Sequence, residues 1–217
     1  MRRSTAVVFT AMLAAAQQVA APHIAMAQKP MPPAGHRAMP KLPGGNHGPC
    51  GSCIAPASLK SFTVIPEPGE PGEPLIVEGT IFEPDGVTPA SGVGFFVYHT
   101  DATGHYNAWD DESDPRLHGW LRTDDRGRYE FRTIRPAPYA HQKIPAHIHG
   151  SYWSASCPEH WIDDYFFADD TLLSPEMRAT ASKPFAQVVD VRRDGAGVWH
   201  ARRDIRLPHR CGTESAK

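Results

Sequence analysis

Beyond its N-terminus, the 217-residue chain has no apolar run long enough to cross a bilayer. Its formal net charge is only −2, too small to argue for nucleic acid or an anionic membrane surface as a partner. It has no internal repeat, which sets aside solenoids and propellers. It has no glycine-rich phosphate loop either, which removes the usual signature of nucleotide chemistry. Long helical patterns are scarce, because 22 prolines and 18 glycines interrupt the chain. That punctuation suits short strands joined by turns. The length allows one domain with a substantial core, or at most two small ones.

The first 27 residues read as a secretory signal. Arg2 and Arg3 supply a positive start, residues 6–16 are apolar and alanine-rich, and Ala25-Met26-Ala27 gives a small-x-small cleavage pattern. Gln17, Gln18 and Pro22 break the apolar stretch and argue against an anchor. The mature chain is then expected to begin near Gln28, in the periplasm or outside the cell. Cysteine is sparse, and all four copies (Cys50, Cys53, Cys157 and Cys211) lie in the mature part. In an oxidising compartment two disulfides are the expectation, ahead of a zinc site or a redox C-x-x-C at Cys50–Cys53. Three pairings remain open.

Residues 28–55 are rich in proline and glycine and read as a linker or wrapping arm, with His36 and His47 as solvated side chains. Residues 56–210 form the domain, and 211–217 a tail. Strands are expected over 61–65, 75–82, 94–100, 120–123, 128–134, 146–153, 161–167, 185–191 and 198–207. The 120–123 and 128–134 segments read as a hairpin around Asp124-Asp125-Arg126-Gly127, and 185–191 with 198–207 as a second hairpin. Residues 174–181 are the one plausible helix, a short one. About nine short strands with frequent turns predict an all-β sandwich.

The chemistry concentrates between Tyr139 and His149. On an extended strand His147 and His149 project to the same face, so two imidazoles can take adjacent positions on one metal ion. Imidazole alone does not choose between zinc, copper, iron and nickel. Tyr106, just past a buried strand, and Tyr139, eight residues before His147, add two phenols. A phenol has a pKa of about 10 and binds metal only when the cation is acidic enough to expel its proton. Two phenolates with two imidazoles suit Fe(III) better than zinc.

The order Gly104-His105-Tyr106, then the run from Thr123 through Arg128-Tyr129-Glu130-Phe131 and Pro136-Ala137-Pro138-Tyr139, then Pro145-Ala146-His147-Ile148-His149, resembles the intradiol ring-cleavage dioxygenases of the catechol and protocatechuate 3,4-dioxygenase type. The resemblance implies that Tyr106, Tyr139, His147 and His149 are ligands of Fe(III). It implies a catechol substrate and O₂ as partners, with the ring cut between its hydroxyl-bearing carbons to a muconate-type diacid. It also implies that Tyr139 is the ligand that lets go and accepts a substrate proton. Two positions depart from the family pattern. Ile144 stands where arginine is common, and Asp163 aligns with a glutamine that acts beside it. Losing one such preorganised charge costs about 10²–10³ in rate. The expectation is slower cleavage and a less polar pocket wall.

A non-enzymatic transthyretin-like sandwich also fits Val77-Glu78-Gly79-Thr80-Ile81 and the Thr123–Phe131 run, but it would not need these four ligands together. A copper–zinc superoxide dismutase would need His99, His105, His118 and His160 in a different order. Those histidines are expected at the surface or behind the ligands, with His141 in an orienting role. The particular catechol and the oligomeric state, including any homo-oligomer, stay open.

Overall fold

The computed structural model describes residues 30–42, 48–181 and 183–208. The expected signal, His47 and Cys211 lie outside the described residues. Those described form twelve strands in two sheets, with one short helix.

The first sheet has the order β1 (Phe62–Val64), β5 (Arg128–Ile134), β2 (Pro74–Phe82), β11 (Trp199–Arg202), β10 (Val191–Arg193), with β12 (Ile205–Arg206) also on β2. The second runs β4 (Leu117–Arg122), β3 (Gly94–His99), β6 (His147–Ser154), β8 (Tyr165–Phe167), β9 (Val188–Val189), with β7 (Cys157–Trp161) on the far part of β6. Alternation along each strand makes the core. Leu75, Val77, Ile81, Tyr129 and Phe131 of the first sheet meet Phe95, Val97, Leu121, Ile148, Tyr152 and Phe167 of the second. Burying each such side chain contributes about 1.5–3 kcal/mol.

β3 is buried along its whole length, so its second face must be covered as well. Phe96 and Tyr98 point there and pack with Tyr106, Met39, Trp120, Tyr139, Trp153 and Trp161. Part of the cover is the N-terminal arm. Gly51 lies flat on Phe96, where a Cβ would come within 2.3 Å of the ring. Its carbonyl accepts the Trp120 indole N–H at 2.8 Å, and the Gly51 and Ser52 amides donate to Glu159 at 3.0 and 2.7 Å. A Cys50–Cys53 disulfide closes this segment, and Cys157 is disulfide-bonded too. His36 is exposed as expected but is not free. Its ring nitrogen lies 2.6 Å from Asp114 and it packs edge-on against Trp109.

Three local expectations are corrected. The 120–123 and 128–134 strands do not pair: β4 pairs with β3, and β5 with β2 and β1, so the Asp124–Gly127 turn carries the chain from one sheet to the other. Alternation reports which side chains are buried, and it is the same whether neighbours share a sheet or face each other across the core. The 161–167 strand divides into β7 and β8, leaving residues 162–164 between them. The closing hairpin is made by β10 and β11, while the short β9 runs parallel to β8. The helix α1 covers only Pro175–Arg178, capped by Ser174, whose hydroxyl accepts from the Met177 amide.

Candidate metal centre

Tyr106 and Tyr139 come from two loops clasped together. The Thr100 hydroxyl donates to the Ala137 carbonyl at 2.8 Å, the Ala137 amide to Asp101 at 3.1 Å, and the Ala140 amide to Gly104 at 3.3 Å. Gly104 has φ +86° and sits so close to this partner that a Cβ would lie 2.2 Å from the Pro138 carbonyl oxygen. Only glycine meets both conditions. The clasp brings the two phenol oxygens to 2.5 Å.

His147 and His149 begin β6 and share the face that holds Tyr98, which is in register with His149 on β3. The Tyr98 ring stacks on the His149 imidazole with centroids 4.6 Å apart. The structure therefore brings Tyr106, Tyr139, His147 and His149 to one point. Tyr106 Oη lies 2.8 Å from His149 Nε2, and Tyr139 Oη lies 3.2 Å from His149 Nε2 and 3.1 Å from His147 Nε2. The two Nε2 atoms are 3.1 Å apart. Four donors held roughly 2 Å from one ion have neighbours about 3.3 Å apart, so these spacings suit a single cation.

The protons make the same point. His147 Nδ1 is 2.7 Å from the Pro145 carbonyl, which can only accept, so Nδ1 carries the hydrogen. His149 Nδ1 faces Asp164 Oδ1 at 2.7 Å and donates to that carboxylate. In the imidazole tautomer that these bonds select, each Nε2 is a lone pair aimed at the other. Within the cluster only the two phenol protons are available for five close approaches, and a cation in the centre removes the conflict. Burial, with His149 beside it, holds the His147 ring below the usual histidine range, which keeps it neutral and ready to ligate. Burial also pushes both phenols well above the ordinary tyrosine value, Tyr106 further than Tyr139. Only a strongly acidic cation could displace their protons at neutral pH.

Asp163 is exposed and its side chain makes no hydrogen bond to the four residues, whereas its neighbour Asp164 orients His149. Ile144 is half-buried and does not line the adjoining cavity. That cavity, about 130 Å³, is walled by Tyr106, Tyr139, Asp110, Glu112, His141 and their neighbours. Glu112 brings a carboxylate oxygen to 3.7 Å from His149 Nε2 and accepts the Tyr98 hydroxyl at 3.2 Å. Asp164, Glu112 and Tyr98 escape sequence reasoning. The one available signal is the acid-rich run Asp110-Asp111-Glu112-Ser113-Asp114, which begins eleven residues past β3 and four past Tyr106. His141 lies at the cavity rim with His105 and Asp110, their ligand atoms within 4.8 Å of one another. His99 is buried in the core and His118 holds the Pro115 carbonyl.

Comparison with known proteins agrees with this geometry. A family model described as a dioxygenase matches residues 47–208. Catechol 1,2-dioxygenase 1 of Acinetobacter lwoffii is 33% identical over 101 residues, covering 38% of this chain and 32% of that one. The protocatechuate 3,4-dioxygenase beta chain of Burkholderia cepacia is 31% identical over 118 residues, covering 49% of this chain and 50% of that one. The chain covers only 32%, 35% and 31% of three catechol 1,2-dioxygenases that it matches. Among solved structures, the dioxygenase domain of a dioxygenase carbohydrate-binding protein fusion from Streptomyces sp. SirexAA-E superposes with a TM-score of 0.54 at 23% identity, covering 70% of this chain and 91% of that one. Catechol 1,2-dioxygenase from Pseudomonas arvilla C-1 superposes with a TM-score of 0.56 at 20% identity, covering 75% and 60%. These two likenesses concern the fold.

Proposed function

The chain belongs to the intradiol ring-cleavage dioxygenase family, and from that premise we propose that it is an exported Fe(III) enzyme that opens a catechol between its two hydroxyl-bearing carbons, using O₂, to give a muconate-type diacid. The observation that carries the reading is the convergence of Tyr106, Tyr139, His147 and His149, with the two imidazole Nε2 atoms 3.1 Å apart. When bound there, ferric iron would supply a Lewis acid for both catechol oxygens and a route for electrons toward O₂.

The chain's own residues do the rest. Both phenols line the cavity, but Tyr106 is only 5% exposed whereas Tyr139 is partly open. Its greater exposure fits the role that the family resemblance gives Tyr139, the ligand that releases and takes a substrate proton on its Oη. Asp164 and the Pro145 carbonyl fix the two imidazole rings, and Tyr98 holds the plane of His149. Trp120, Trp153, Trp161 and Met39 keep water from the face behind the ligands. At position 144 isoleucine offers no charge to a ring becoming carbanion-like, so turnover is expected to be slower than in a relative with arginine there.

The test is iron content, the visible phenolate-to-iron band, and oxygen uptake with product identification on catechol and protocatechuate. A coloured protein that forms a muconate-type product is expected. No oxygen uptake on any catechol, or a product cut beside the diol, overturns the reading. Ile144→Arg should raise the rate on simple catechol. N-terminal sequencing of the protein from its host should find a start near Gln28.

A further inference from the structure

We propose that the cavity beside the metal centre selects catechols bearing a positively charged substituent over those bearing a carboxylate, with Glu112 as the selecting residue and Asp110 as its second charge. The inference rests on the functional reading above and adds the class of substrate.

The first ground is position. Glu112 lies at the ligand cluster, 3.7 Å from His149 Nε2, yet its side chain is 41% exposed, so it faces both the centre and the cavity. A molecule bound through two adjacent ring oxygens at the cluster would occupy the cavity that this carboxylate lines. The second ground is the balance of charge. The cavity wall includes Asp110 and Glu112 and neither lysine nor arginine. The nearby Arg116 is already committed, with Glu70 at 2.5 and 2.9 Å and Asp101 at 3.7 Å. Among the described residues no lysine or arginine forms an ion pair with Glu112.

The third ground is that the acids are held in place before anything binds. Asn107 is buried, and its side-chain oxygen accepts the Trp109 and Asp111 amides at 3.0 Å each. Its nitrogen donates to the Asp111 and Asp114 carbonyls at 3.2 and 2.8 Å. Asp111 in turn holds the Ser113 amide at 2.9 Å. Asp110 adopts a φ of +52°, a left-handed conformation that a non-glycine residue keeps only when its surroundings impose it. His105 Nδ1 lies 3.5 Å from Asp110 Oδ1. A loop built this firmly loses little freedom on meeting a ligand, so its charge is expressed in affinity. An ammonium placed here gains attraction, and a carboxylate in the same place meets repulsion. The ratio of the two therefore carries the effect twice.

The experiment uses the iron-loaded full chain under nitrogen, where catechols bind without being cleaved. The visible band is titrated with three probes: 4-(2-aminoethyl)catechol, catechol and protocatechuate. The amine is expected to bind more tightly than the carboxylate by about 30-fold at low salt, a margin that shrinks as salt screens it. Glu112→Gln should reduce that ratio about tenfold and Asp110→Asn by a smaller factor. Oxygen uptake should show the same order in kcat/KM. The ratio is the readout, because damage to folding lowers all three affinities together. Equal or tighter binding of protocatechuate, or a ratio unmoved by Glu112→Gln, overturns this inference and leaves the functional reading standing. A band that shifts in Glu112→Gln before any probe is added would make Glu112 a metal ligand, and also overturns it. No binding of any catechol overturns both.

Discussion

Two pairs of tyrosines, one buried in the core between the sheets and one at the cavity, solve the same problem differently. In the core, the Tyr129 hydroxyl donates to the Arg203 carbonyl at 2.7 Å and lies 2.9 Å from the Tyr165 hydroxyl, which donates to it. The Arg203 guanidinium covers the Tyr165 ring at 4.4 Å. Each phenol proton there has an acceptor, and burial pushes the Tyr165 hydroxyl up to about 12, so the group stays protonated and structural. At the cavity, the Tyr106 and Tyr139 hydroxyls face two bare nitrogens, and no arrangement of their two protons satisfies every approach. A closed network stabilises a fold by itself, whereas an open one waits for a cation. The two meet at one place: Arg203 Nη1 donates to the Asp163 carbonyl at 2.6 Å, and the next residue, Asp164, orients His149.

The sharpest way to break this contrast is His147→Ala. With three ligands left, the protein should lose its visible band and bound iron, read by absorbance and metal analysis, while it remains folded by circular dichroism. A retained band would mean that the four residues do not form the metal site.

The next largest effect concerns a histidine on the closed side. His99 donates from Nδ1 to the Thr100 carbonyl and accepts the Thr133 hydroxyl, each at 2.6 Å. Burial above all lowers it to about 4, with His149 and Arg116 acting the same way and Asp101 against them. Its folded pKa is depressed relative to the unfolded chain, which therefore binds more protons between about pH 6.5 and 4. Stability is full above that window and falls as pH drops through it, by up to ~3 kcal/mol. Urea melts at pH 7 and pH 4.5 would check this, and His99→Gln should flatten the difference.

Asp164→Asn should weaken iron binding about 10- to 100-fold and shift the band, because an amide holds the His149 ring less firmly. The same change at the exposed Asp163 should do much less. The smallest effect expected is that of Tyr129→Phe. It leaves the Arg203 carbonyl and the Tyr165 hydroxyl short of a partner and should cost about 1–3 kcal/mol in a denaturant melt, with iron content unchanged.

Much of the fold was legible in the chain. Alternation in Tyr129-Glu130-Phe131 and the all-apolar run at Gly94–Val97 mark strands because side-chain direction alternates locally. The assignment of strands to sheets was not, as the Asp124–Gly127 turn shows: the same pattern serves a hairpin or a crossing between layers. The partner of His36 was not legible because nothing near it in sequence supplies one, Asp114 being 78 residues away.

By itself the sequence determined the strand-rich class, the pair of imidazoles two residues apart, and the order of tyrosines and histidines that marks the family. Those features depend on residue type and local geometry, so they can be read along a line. Only the tertiary structure decided that Asp164 rather than Asp163 meets His149, that Glu112 stands beside the ligands, and that the arm closes the back of the site. Each of these turns on which atoms come within a few ångströms across long separations, and a hydrogen bond or a charge acts only at that range.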